Sequence, residues 1–367
     1  MIDLKRPTLI LDKQKCLANI KKMKAKADLH HLDFRPHFKT HQSAEIGEWI
    51  RYEGVEKITV SSVLMAEYFA HNGWKDITIA FPVNVAESAE INRLAENIQV
   101  NVLIESFETL ELLGRKVCND VGVFVKIDAG YHRTGIPIDN HQLILKLVSA
   151  ISSFKYFRFK GFLLHNGQTY AAKGIHEVIQ IHNQVLQGIQ ILKQFIDKHQ
   201  IEAMFSLGDT PAMSLADHFY GVDEIRPGNF VFYDVMQQNI GSCNFDEIAV
   251  ALAVPVVAKH PSRNELVVYG GAVHLSKEST VDQAGNQIFG RVVQFGETGW
   301  GAPVAGTYVK SLSQEHGIVK TTSEMLENLR IGDFIGILPV HSCLTAHLMR
   351  EYFTLQGERI ATMLAGS

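Results

Sequence analysis

At roughly 100–200 residues per domain, the 367-residue chain has room for two or three domains, and 46% hydrophobic with 20% charged residues suits a globular protein with a large core. A net charge of −4 leaves no excess of Lys and Arg to neutralise phosphates, which argues against a nucleic-acid partner. The four cysteines are too dispersed for a disulfide framework, no apolar run reaches the ~20 residues of a membrane span, and no leader pattern opens the chain, so a cytoplasmic protein with reduced thiols is expected.

Thr8-Leu-Ile-Leu11 reads as a strand within the first fifteen residues, placed to pair with the C-terminal part. From about residue 16 to 234 short β-branched or aromatic runs alternate with segments of helical period. Strands are expected at 34–38, 57–62, 76–82, 99–105, 121–128, 158–165, 204–207 and 224–233. Helices are expected at 43–52, 63–71, 86–96, 107–118, 141–151 and 175–199. This alternation is that of an α/β protein built as a parallel (β/α)8 TIM-type barrel. A doubly wound open sheet is the rival, but it often has a Gly-rich first turn, and Lys39-Thr-His-Gln42 contains no glycine. After Cys243 short strands follow one another, at 248–259, 266–270, 287–294, 306–312 and 334–339, separated by turn residues such as Gly270-Gly271 and Gly285-Asn286. The expected domains are therefore a barrel over 16–243 and a mostly β domain over 244–367 joined by 1–15.

The residues with chemistry fall at the C-terminal ends of the expected barrel strands, where this fold builds its sites. Arg35-Pro-His-Phe-Lys39-Thr-His41 closes the first strand, and Lys39 reads either as a solvated charge or as an amine that forms an imine with an aldehyde. Arg133, in Asp128-Ala-Gly-Tyr-His-Arg133-Thr-Gly135 after the fifth strand, is either a loop cation or a donor to a phenolate or carboxylate. His165-Asn-Gly-Gln-Thr-Tyr170 follows the sixth strand. After the seventh, Gly208 permits a tight turn, Asp209 and Thr210 follow it, and Pro211 suits the start of a helix whose N–H groups can hold a phosphate. The plainer reading of that segment is a helix cap that binds nothing. Arg226-Pro-Gly228-Asn229-Phe-Val-Phe-Tyr233-Asp234 runs along the eighth strand. Far downstream, His341 and Cys343 stand two apart, so on an extended segment they would share a face. Imidazole and thiolate suit Zn²⁺, and two protein ligands leave positions open for water or substrate; the alternative is a chance pairing with an inert thiol. His347 and Cys243 are further candidate ligands, while Cys16 and Cys118 lie in helical patterns and are expected in the core.

Together these motifs resemble the fold-type III pyridoxal-phosphate enzymes, the alanine-racemase-like barrel family, and within it the D-serine dehydratase and D-threonine aldolase group. The likeness covers nearly the whole chain, and Ser313-Gln-Glu-His316-Gly317 resembles a further motif of that group. The resemblance implies that Lys39 carries pyridoxal 5′-phosphate, that Arg133 approaches its phenolic oxygen, and that His165 and Tyr170 line the cofactor, Tyr170 toward the pyridine nitrogen. It places Gly208, Asp209, Thr210, Gly228, Asn229 and Tyr233 on the phosphate side, and a divalent metal on His341 and Cys343, with zinc favoured by the thiol. It also implies a head-to-tail homodimer with the active site near the interface, leaving open whether the metal pair acts in cis or in trans. Racemases of the family use a C-terminal tyrosine and no metal; aldolases tend to hold aspartate where Cys343 stands, and dehydratases cysteine. The expected activity is a lyase acting on β-hydroxy D-amino acids, a D-serine or D-threonine dehydratase giving a 2-oxo acid and ammonia. A D-threonine aldolase giving glycine and an aldehyde is the alternative; an amino-acid racemase or a non-catalytic cofactor-binding protein stands further off.

Overall fold

The computed structural model describes residues 4–296 and 298–365. By contacts the chain forms two compact units, one of residues 22–39 and 47–228, the other of residues through 21, 40–46 and 229 onward.

The first unit is a parallel barrel of eight strands: Asp33–Phe34, Lys57–Val60, Asp76–Pro82, Gln99–Ile104, Val121–Asp128, Phe157–His165, Met204–Gly208 and Glu224–Ile225. From the second strand onward each pairs with the next in chain order, and the last returns to the first through Glu224↔Asp33 and Ile225↔Phe34. Residues 121–127 are all buried, as expected of a parallel strand covered on both faces. Between the strands lie helices such as Val63–His71, where the Ser62 hydroxyl accepts the Met65 N–H at 3.1 Å, and His141–Ile151, capped in the same way by Asn140.

Three sequence expectations change. The first strand stops at Phe34, because Pro36 has no N–H to give the ladder; a single bridge, His37↔Thr59, joins it to the second strand. The eighth strand is only Glu224–Ile225, broken by Pro227 and followed by a 3₁₀ turn over Asn229–Val231. Cys118 is exposed, since its helix ends at Gly114 and its own N–H bonds to Asn92 Oδ1 at 2.8 Å. Cys16 is buried, within a helix over Lys13–Leu29 whose lysine-rich sequence gives little periodic contrast.

The barrel interior is polar at its centre. Arg35 donates from Nε to Glu224 at 2.7 Å and from Nη1 to Asp76 at 2.6 Å, tying together the first, third and eighth strands. Glu224 accepts from the Ser206 hydroxyl at 2.6 Å, and that hydroxyl accepts from Arg226 Nε at 2.7 Å. Arg226 also donates to the Leu164 carbonyl. Gly208 packs closely on this arginine: a Cβ there would lie 3.1 Å from the Arg226 side chain, which would have to give by a few tenths of an ångström.

The second unit holds a nine-stranded sheet, with Val250–His260 bonded to Thr8–Leu11 on one side and to Phe334–Pro339 on the other. Thr8–Leu11 also pairs in parallel with Glu351–Thr354. The strands His316–Lys320, Glu351–Thr354 and Arg359–Ala361 and the helix Ser342–Met349 are additions to the expected elements. The contact boundary falls after Gly228 instead of Cys243, and 40–46 belongs with the sheet. The bonds explain this: Met236 N–H donates to the Val340 carbonyl at 3.2 Å, Met363 N–H to the Gln42 carbonyl at 2.7 Å, and the Tyr352 hydroxyl to the His41 carbonyl at 2.7 Å. Among the described residues no helix is long and apolar enough to cross a membrane.

Replacing Arg35 by Met leaves Glu224 buried without its cation, and should cost about 3–5 kcal/mol of unfolding free energy in urea titrations. A loss below about 1 kcal/mol, the range of surface ion pairs, would show that the network does not hold the barrel.

Candidate active site

Within the barrel unit the sequence-predicted residues converge around His165. Its Nδ1 bonds to the Gly208 carbonyl, so Nδ1 carries the proton and Nε2 is left as an acceptor. Burial, then the charges of Lys39, Arg133 and Arg226, lower its pKa to about 3 against the pull of that carbonyl. The ring is therefore neutral, and Lys39 and Arg133 are both near enough to act on it. Lys39 is exposed on the segment after the first strand, its N–H directed to His37 Nδ1 at 3.3 Å.

Arg133 is placed by a loop that Asp128 organises. One carboxylate oxygen of Asp128 accepts the N–H groups of Gly130, Tyr131 and His132, each at 3.0 Å. The guanidinium lies over the Tyr131 ring at 5.0 Å, and that ring meets His165 edge-on at 5.9 Å. Gly167 is required beneath it, since a Cβ would stand 2.2 Å from Tyr131.

After the seventh strand Asp209 caps the helix Thr210–Leu215 by accepting the Ala212 N–H at 2.7 Å, with Pro211 in its first turn. The Thr210 N–H donates to the Tyr170 hydroxyl at 3.1 Å. Two helix-start donors expected to face a phosphate are thus engaged within the chain, and Tyr170 has its hydroxyl at this loop. Burial raises the Asp209 carboxyl to about 7. Among the described residues, its Oδ1 and both side-chain polar atoms of Asn166 are buried without a hydrogen-bond partner. Orphaned polar groups of this kind are what a bound polar ligand would satisfy.

In the sheet unit His341 is not on a strand. It is the N-cap of the helix Ser342–Met349, and Cys343 lies in the first turn. The two side chains still meet: burial lowers the imidazole's pKa, but its hydrogen bond to Cys343, followed by the charges of Cys343, Asp234 and Glu278, raises it to about 9. The Cys343 sulfur also lies 3.3 Å from the Thr40 hydroxyl and 3.6 Å from Asn229 Nδ2. Asn229 faces Asp234, Ser342 and Cys343, and Tyr233 is buried in left-handed backbone with φ 49°. His347 Nδ1 is 3.3 Å from Gln42 Nε2. Among the described residues no three His, Cys, Asp or Glu side chains are gathered around one point, so neither His347 nor Cys243 completes a ligand set.

The family described as "Alanine racemase, N-terminal domain" matches residues 11–235. The chain belongs to that family. The description "Putative serine dehydratase domain" matches residues 249–355. D-serine dehydratase of Dictyostelium discoideum is 28% identical, covering 93% of this chain and 90% of its own length. D-threonine aldolase of an Arthrobacter species is 24% identical, over 86% of this chain and 79% of its own. The solved D-threo-3-hydroxyaspartate dehydratase of Delftia sp. HT23 superposes with a TM-score of 0.90 at 22% identity over 98% of both chains, a likeness of fold.

Several residues beside these groups went unread in the sequence. Lys126, 5% exposed on the fifth strand, donates to the Ile127 carbonyl at 2.7 Å, and burial and the Arg226 charge lower it to about 7. A lysine inside the run Val-Phe-Val-Lys-Ile was the available signal. Thr40 and Asp234 carried no such signal.

The buried rings make stability depend on pH. Burial lowers His41 and His165 each to about 3, so both gain a proton on unfolding below 6.5, while Asp209, raised to about 7, releases one. These three give a net uptake of one proton (two in, one out), so stability should fall as pH drops below 6.5, by up to about 1.4 kcal/mol per pH unit, and His182 and His274, also lowered by burial, act in the same direction. Urea titrations at stepped pH check this; a flat profile between about 6.5 and 4.5 would mean that the rings are not held neutral.

Proposed function

We propose that the chain is a pyridoxal 5′-phosphate- and divalent-metal-dependent lyase acting on β-hydroxy D-amino acids, a D-serine or D-threonine dehydratase. The observation that carries the reading is the pairing of His341 with Cys343 beside Thr40, the residue next in sequence to Lys39. Imidazole and sulfur form a soft donor pair, for which zinc is the fitting ion. For the cofactor, the support is the unpartnered Asn166 and Asp209 atoms near the His165–Gly208 bond, together with the exposed Lys39 amine. A relative's structure described as a cysteine-to-alanine variant of D-threo-3-hydroxyaspartate dehydratase in the metal-free form also supports a metal role for a cysteine.

When bound, the cofactor supplies an electron sink for the Cα carbanion and the metal a Lewis acid for the β-hydroxyl. Lys39 would hold the cofactor and then, at Nζ, take the proton from Cα. Arg133 would donate to the phenolic oxygen, and His165, neutral, would line the ring without adding charge. Gly208, Thr210 and Gly228 would border the phosphate, with Asp209 fixing the loop and Tyr170 occupying the Thr210 N–H. His341 and Cys343 would orient the leaving hydroxyl. D-serine would give pyruvate and ammonia. The reading includes a homodimer and a reducing, cytoplasmic setting that keeps Cys343 as a thiol.

Borohydride treatment of the purified protein should fix the cofactor on Lys39, located by peptide mass spectrometry; protein that takes up no cofactor would remove the proposal. Chelation should abolish turnover of D-serine and leave the cofactor bound, whereas turnover indifferent to chelator would favour a racemase. Product analysis divides the lyases: pyruvate with ammonia marks the dehydratase, and glycine with an aldehyde marks the aldolase that the Arthrobacter relative is named for.

A further inference from the structure

Cys343 is held as closely as it is paired. We propose that Thr40 and Asn229 are positioning residues that set the Cys343 sulfur for its metal, an inference that rests on the metal-dependent reading above. Both donors come from segments remote in sequence, 303 and 114 residues away, and they converge on one atom at 3.3 and 3.6 Å. With a thiol, either partner could give the proton in the Thr40 contact. Once a metal has displaced that proton, both bonds run toward the sulfur.

The donors are themselves fixed. Asn229 Nδ2 lies 2.6 Å from Asp234 Oδ2 and 3.1 Å from the Ser342 hydroxyl, so one hydrogen is committed to the carboxylate and the other is directed at the 342–343 turn. Asp234 Oδ2 accepts the Ser342 N–H at 3.0 Å, and Oδ1 accepts the Gln237 N–H at 2.9 Å. Thr40, Asn229, Asp234 and Ser342 are all 5% exposed or less. The residue between the two ligands is thus clamped at its backbone, and the sulfur meets donors that have little freedom to turn elsewhere.

Hydrogen bonds to a metal-bound thiolate draw off part of its charge, so that the metal keeps more of its Lewis acidity, and they fix the direction of the sulfur lone pairs. The geometry gives Thr40 a second consequence. Its peptide bond follows Lys39, so the hydroxyl that holds the metal ligand and the amine proposed to hold the cofactor lie on adjacent residues. The positioning of the ligand and the path of the lysine segment are constrained together.

The test is cobalt(II) binding to the metal-stripped full-length chain, followed by its thiolate-to-cobalt charge-transfer band and by competition with a chromophoric chelator. Thr40→Val keeps the shape and removes the donor. It should weaken cobalt(II) about 10–100-fold, the usual effect of losing a partner of a metal ligand, and shift the band. Thr40→Ser should bind within a few-fold of the wild type. A valine variant with unchanged affinity and band overturns the proposal, as does a serine variant as weak as valine, which would make the effect steric. If the wild type gives no thiolate band, or Cys343→Ala binds cobalt(II) as tightly, the metal reading itself fails and takes this inference with it.

Discussion

The barrel is organised around buried charge. Arg35 sits between Asp76 and Glu224, and the chain of bonds continues through Ser206 to Arg226. Ions in such a place must be matched, because removing them from water costs several kcal/mol each and only close partners recover it. The matching is specific: four strands must stand in one register for these groups to meet. Arg226 is the end of that chain nearest the proposed chemistry. Its side chain fills the space that a Cβ at 208 would meet, and its charge helps keep His165 unprotonated and holds Lys126 low.

The two groups of functional residues use opposite electrostatics. In the barrel a neutral imidazole stands among Lys39, Arg133 and Arg226, and its one N–H, at Nδ1, is donated to the Gly208 carbonyl. In the sheet unit an imidazole stands among anionic or polarisable groups, Cys343, Asp234 and Glu278, which favour its protonated form. One arrangement suits a delocalised anion, the other a cation.

Much of this was legible in the sequence because it is local. Asp76–Pro82 and Val121–Asp128 begin and end where the apolar runs do, and His141–Ile151 follows its periodicity. Lys39, Arg133 and His165 were visible as polar residues closing apolar strands. The shortened first and eighth strands were not, although Pro36 and Pro227 signalled them: extended backbone continues through a proline while the ladder does not. Nor was the helical start at Ser342, where an apolar strand ends and only the cap geometry reveals the turn. Least legible were Thr40 and Asn229. They are small polar residues without a pattern of their own, and their meaning lies in a partner more than a hundred positions away.

Neither unit is a continuous stretch of chain. The polypeptide leaves the sheet unit after residue 21, returns for the seven residues 40–46, leaves again and comes back for good at 229. A gene fragment encoding the barrel alone would keep the lysine and lose what anchors the residues directly after it. Such a protein is hard to assemble by joining independent modules or to simplify by deletion. Change within this architecture is therefore easier by single substitution than by exchange of whole segments.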